Sequence, residues 1–183
     1  MAHAELSHEA FVAAGGSGAP ALARETLCLP PPRGALEHAV LRHGVEIYCL
    51  GETIAVRLFK RLRSRSTAPA ARRALDRVLK DEVRHRDFGW MLLEWLMTTA
   101  MAAELRSILT AELPAMLMRL KHSYSSAAEA QARLAVTDAP FAFDEGDRAW
   151  GLMPASEYAE AYVETLERDF KPRFAAVGIA LTG

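Results

Sequence analysis

The sequence is short of several things, and each shortage closes off a class of protein. It holds only two cysteines, Cys28 and Cys49, far apart in the chain. A disulfide scaffold or a thiolate zinc site needs closely spaced thiols, so neither is expected, and the pattern fits a reducing compartment. No apolar run reaches roughly 18 residues, so no membrane span is expected. The first residues lack the basic-then-apolar order of a secretory signal, and the expected location is the cytoplasm. Charge of one sign is missing as well. The 22 Lys and Arg against 23 Asp and Glu give a net charge of −1, no footing for a general polyanion binder. There is no phosphate-binding glycine loop, nucleophile elbow or zinc-finger spacing. Clusters of Val, Ile and Thr are scarce, which removes the usual material of a sheet.

What remains is rich in Ala and Leu, and its periodicity is helical throughout. At 183 residues the chain suits one domain with a real core. Residues 1–33 read as an N-terminal arm: a short helix near residues 4–14, a Gly-Gly-Ser-Gly stretch, then Pro30-Pro31-Pro32 as a stop. Residues 34–183 read as the main domain. A first long helix is expected over 34–65, with Leu36, Val40, His43, Ile47, Leu50, Ile54 and Leu58 in one row. Leu41, Val45, Tyr48, Glu52, Ala55 and Phe59 form a second row beside it. "SRSTAPA" breaks that helix, with Ser66 or Thr67 as cap and Pro69 as opener of the next. The second helix spans about 68–98, the third about 101–124 with Pro114 as a kink, and the fourth about 155–178, bent at Pro172. The stripe of the last is Ala159, Val163, Leu166, Phe170, Phe174 and Val177. Four long helices with a long connection before the last predict an all-α bundle.

Two polar groups interrupt the core stripe of the second helix. "KDEVRHRDF" places Glu82 and His85 three residues apart, on one face. The stripe runs Ala71, Leu75, Val78, Leu79, Glu82, His85, Gly89, Leu92, Leu93 and Leu96. A buried carboxylate needs a partner or a cation. Glu82 and His85 are therefore either a buried hydrogen-bonded pair or two ligands of a divalent metal, which takes carboxylate oxygen and imidazole nitrogen alike. Glu52 lies 14 residues before Ser66 and Glu82 lies 16 after it, so an antiparallel hairpin brings them to one height. A turn near Thr99 would return Glu112 to the level of Arg86, in the same layer.

Here the sequence resembles the ferritin-like di-iron carboxylate superfamily, rubrerythrin-type proteins most closely. The likeness is carried by "GETIAVRLF", in which Glu52 precedes Ala55 and Phe59, and by "DEVRHRDF", with Asp81-Glu82, His85 and Phe88. It covers about residues 44–95. It implies a ferritin-like four-helix bundle with Glu52 and His85 as terminal ligands and Glu82 as a bridge between two ions, iron or iron with manganese. The second half departs from the family's pattern, since no histidine follows His122. "ETLERDF" nevertheless echoes "EVRHRDF", with glutamate in the histidine's place, and Glu112 with Ala115 echoes Glu52 with Ala55. Glu112, Glu160, Glu164 and Glu167 are thus the candidates to complete the set, although Glu164 points away from its helix's apolar stripe. The plain alternative for the run of glutamates in the last helix is a wet face.

The remaining conspicuous residues read as scaffold. His43 lies on an apolar row and reads as a core histidine, and His122 meets a helix dipole. Trp90, Met91, Trp95, Met97 and Met101 are packing. The basic cluster Lys60, Arg61, Arg63, Arg65, Arg72, Arg73 and Arg77 complements the end of the first helix, and no nucleic acid is expected. The expected function is an oxidoreductase using dioxygen or peroxide on a small-molecule substrate, working as a homodimer. Two rivals stand beside it: an iron-handling binding protein, and a metal-free bundle used for protein interaction. Fold analogy alone does not choose among them.

Overall fold

The computed structural model describes residues 2–18, 34–135 and 145–181. Cys28, the run Pro30–Pro32 and most of the polar connection ahead of Pro154 lie outside the described residues. Every element within them is a helix, and no strand occurs among the described residues. Helix α1 is Ala2–Ala13. Helix α2, residues 36–65, is built from Leu36–His43, a π-helical stretch Gly44–Gly51, and Glu52–Arg65. Helices α3 and α4 are Pro69–Leu96 and Ala102–Ala135, and α5 is the short Glu145–Ala149. Helix α6, residues 155–176, joins Ala155–Thr165, a π turn Leu166–Phe170, and Lys171–Ala176. The long helices fall within a few residues of the expected bounds, except that α4 runs past Tyr124 to Ala135. The short α5 carries no sequence signal of its own.

The break after α2 works differently from the expected cap. Pro69 opens α3, but no side chain caps it. Ser66 is buried, and its Oγ donates to the Ala149 carbonyl at 3.4 Å. The N–H groups of Thr67 and Ala68 donate to the same carbonyl at 2.8 Å. The end of α5 thus ties down the chain just ahead of α3, without capping its first turn. Gly151, with φ +85°, lets the following turn lie on the Leu62 carbonyl, where a Cβ would collide.

Four helices feed the main core. Leu41, Val45, Cys49 and Leu50 of α2 meet Trp90, Leu93 and Leu96 of α3. Leu105, Leu109, Leu113 and Met116 come from α4, and Phe170 and Phe174 from α6. Burying each such large side chain contributes about 1.5–3 kcal/mol, which is why these faces find one another. A smaller cluster of Ile54, Leu58, Met153, Ala161 and Tyr162 closes the other end. Trp90 Nε1 donates to Thr53 Oγ1 at 2.9 Å, and its ring lies under the Arg173 guanidinium and edge-on to Phe174.

The π stretch in α2 sets the site. The buried apolar residues are Leu41 ahead of it, Val45, Cys49 and Leu50 within it, and Ile54, Val56 and Leu58 after it, so the buried face passes from near the second row to the first. A π turn fits an extra residue into the helix and so rotates the face that follows. The two rows are therefore used in succession rather than side by side, and Leu36 and Ile47 are left exposed, as is His43. The π turn in α6 does the same: Ala161, Tyr162 and Thr165 are buried before it, Phe170 at its end and Phe174 after it, and Val163 faces solvent. Pro172, which has no N–H to donate, sits just past that wider turn. On α3, Trp90 is buried and Met97 and Met101 pack against the core, while Met91 and Trp95 are exposed rather than packed.

Candidate metal centre

Glu52 is the first residue after the π stretch of α2, and Glu82 and His85 stand one turn apart on α3. The two helices approach closely there because Gly89 has no side chain: a Cβ at that position would lie 2.5 Å from Tyr48 Cβ and 2.7 Å from the Tyr48 carbonyl carbon. The result is a convergence. His85 Nδ1 lies 2.9 Å from Glu82 Oε2 and 3.7 Å from Glu52 Oε1. One ligand atom from each of Glu52, Glu82 and His85 falls within 4.8 Å of the others. Glu82 is buried and Glu52 partly so. His85 is 46% exposed, not buried as its place on the stripe predicted, so the centre has one side open to solvent. Its ring lies 6.4 Å from that of Tyr48, which meets Phe88 edge-on.

The electrostatics set these carboxylates apart. Burial pushes the Glu52 carboxyl up to about 8, and the hydrogen bond and charge of Glu82 push the same way. Two carboxylates facing each other without a cation hold a proton between them. Among the described residues no lysine or arginine pairs with Glu52 or Glu82. Tyr124 comes near from α4, its phenol pushed up by burial and, secondarily, by the charge of Glu52.

The other four expected ligands are elsewhere, each beside a cation. Glu112 accepts a forked hydrogen bond from Arg42, at 2.7 to 3.1 Å, which holds its carboxyl below the usual range. Arg42 precedes Glu52 by ten residues on the same helix, about 15 Å along its axis, so Glu112 is not in the layer of Glu82. Glu164 is held low by Arg61, and also meets Arg57 at 3.0 Å. Glu160 is 66% exposed, 3.9 Å from Arg61, and Glu167 pairs with Lys171 four residues on. The acidic side of α6 is thus turned to the basic end of α2, and the structure brings none of these four to Glu52. The basic cluster is answered in the same way, Arg63 by Asp76 and Arg65 by Glu157.

One neighbour had no signal beyond being an early histidine. His3, on α1, lies 3.2 Å from Asp81 Oδ2 by its Nε2 and 3.6 Å from Glu82 Oε1 by its Nδ1. Nothing in a periodicity reading says where a terminal helix docks. Helix α1 packs along α3 and roofs a cleft of about 380 Å³. Phe59, Leu62, Leu75, Val78 and Leu152 give that cleft an apolar lining, and His3 and Glu82 stand at its polar end.

The donor set fits a divalent cation of the iron or manganese kind: two carboxylates and one imidazole, converging, with a shared proton where a cation would relieve the repulsion. No helix among the described residues is long and apolar enough to cross a membrane. No protein-family model matches the chain, and neither a curated protein nor a solved structure matches it.

Proposed function

We propose that the protein is a metal-dependent oxidoreductase on a ferritin-like four-helix bundle, with α2, α3, α4 and α6 as its helices. Glu52, Glu82 and His85 would hold a non-haem iron or manganese ion. With three residues converging and Glu112, Glu160, Glu164 and Glu167 engaged elsewhere, the set favours one ion over the expected pair. The observation that carries the reading is the convergence of two carboxylates and an imidazole at a half-buried spot where, among the described residues, no arginine or lysine pairs with either carboxylate. Neighbouring glutamates that serve structure each have such a cation.

A bound iron or manganese ion would supply the electron-transfer and dioxygen or peroxide chemistry that side chains lack. The chain's own residues do the rest. Glu82 fixes the His85 ring through its hydrogen bond to Nδ1, which sets ring orientation before any cation enters. The Glu52 carboxyl holds a proton near neutral pH and gives it up when a cation takes its place. The apolar cleft beside Glu82 excludes water on one side and suits a small apolar substrate. The exposed Phe88, Met91 and Trp95 along α3 would be covered in the expected homodimer.

The rival with an observation behind it is the metal-free bundle, favoured by the four glutamates spent on ion pairs. Metal content of anaerobically purified protein, supplied with iron or manganese, separates the two when measured for wild type and His85→Ala beside thermal unfolding. The expected result is metal in the wild type, a fall in affinity of about tenfold or more in the variant, and unchanged helical content. No metal in either, with a lowered melting temperature in the variant, would make His85 a structural partner of Glu82.

A further inference from the structure

We propose that His3 is a fourth protein ligand of this centre, carried in on α1, so that docking of the N-terminal helix and metal binding are coupled. The proposal rests on the metal reading above and adds to it a ligand from outside the long helices. Asp81 also accepts a hydrogen bond from Arg77 Nε at 2.9 Å. A carboxylate that accepts from Arg77 is placed to accept from the His3 Nε2–H as well, at 3.2 Å. With Nε2 so engaged, Nδ1 is the nitrogen left toward Glu82, 3.6 Å from its Oε1. That is too long for a hydrogen bond. It is the right span for two ligands of one ion, which at about 2.0–2.2 Å from it lie roughly 3–4 Å apart.

An imidazole whose far nitrogen donates to a carboxylate is also the arrangement that orients metal-bound histidines. Glu82 uses both oxygens, Oε2 toward His85 and Oε1 toward His3, and the two rings stand 6.4 Å apart. Helix α1 has little else to hold it. Of its large apolar residues, Phe11 and Val12 are 47% and 52% exposed and Leu6 is only partly buried, so apolar burial ties it weakly to α3. A metal ion bridging His3 to the Glu82 carboxylate would fasten the helix, and by linkage a docked helix would tighten metal binding by the same factor.

The test uses the full chain, with any purification tag at the C-terminus, freed of metal by a chelator and titrated with Mn(II). Free Mn(II) is followed by electron paramagnetic resonance, and amide hydrogen exchange is followed over residues 2–13. His3→Gln keeps a donor for Asp81 but offers no imidazole, and His85→Ala serves as reference. The expected result is a fall in Mn(II) affinity of about tenfold or more for His3→Gln. In wild type, Mn(II) should slow exchange across α1, and in His3→Gln it should not. Unchanged affinity in His3→Gln, or α1 exchange in wild type that ignores Mn(II), overturns the proposal while a loss in His85→Ala leaves the centre itself standing. A wild type that binds no Mn(II) overturns both.

Discussion

Glu52→Gln should remove a pH-dependent weakness from the metal-free protein. The Glu52 carboxyl is raised from 4.5 to about 8 in the folded chain, by burial first and by Glu82 next. A group whose folded pKa lies above its unfolded one binds more protons folded than unfolded. Its favourable contribution is complete below about pH 4.5 and is lost as pH rises through about 8. For a fully buried group that shift would amount to about 5 kcal/mol. Glu52 keeps 18% of its side chain in solvent, and water screens part of the effect, leaving about 2 kcal/mol. Glutamine keeps the shape, cannot ionise, and can donate to Glu82 as the protonated acid does.

Urea unfolding of chelator-treated wild type and Glu52→Gln, followed by circular dichroism at pH 5, 7 and 9, reads this directly. The two should be similar at pH 5, and the variant should be more stable by about 2 kcal/mol at pH 9. Added Mn(II) should reverse the order, because the ionised Glu52 then has a cation; at a hundred times the dissociation constant wild type gains about 2.7 kcal/mol. Parallel curves for the two proteins across the range would refute the account of Glu52 and Glu82 as a proton-sharing pair.

Two further outcomes follow from the same geometry. Gly89→Ala should destabilise by about 1–3 kcal/mol in urea, although alanine is the better helix former, because the new Cβ would lie 2.5 to 2.9 Å from Tyr48 and the Cys49 nitrogen; a stabilised variant would show that α2 and α3 are not in such close contact. Glu112→Gln should cost less than about 1 kcal/mol, since its pair with Arg42 is 37% exposed on both sides, and it should leave Mn(II) affinity unchanged. A tenfold loss there would return Glu112 to the centre.

The convergence of Glu52, Glu82 and His85 was legible in the sequence where a single helix carried the signal. Glu82 and His85 stood out because a polar pair interrupted an apolar stripe, and a local rule of helical spacing reads such a pair without knowing any neighbour. Glu52 followed from counting residues to the break at Ser66, because a hairpin fixes height from chain length alone. The same count failed for Glu112. It assumed that α4 returns along α3, whereas the structure sets Glu112 against Arg42 of α2. Height is a one-dimensional quantity, and the choice of neighbour is not.

The α6 glutamates illustrate a second limit. Their echo of "EVRHRDF" placed them by sequence similarity, against a phase that already turned Glu164 from the stripe; the periodicity of α6 does not say that Arg57 and Arg61 of α2 are what it meets there. The stripes of α2 and α6 were misread in part for a related reason, while that of α3 is buried or half-buried as expected except at His85. A regular helix has one apolar face, yet α2 buries Cys49 and then Leu50, Ile54 and Leu58, because the stretch Gly44–Gly51 winds more loosely. That looser winding has no residue signature comparable to a proline break. It is nevertheless what connects the fold to the site. Without it the first row and the second would stay parallel, and the residue turned toward His85 at the end of the stretch would be set by the regular period. The wide segment at Gly44–Gly51 is thus where a fold readable from spacing acquires a site geometry that spacing alone does not encode.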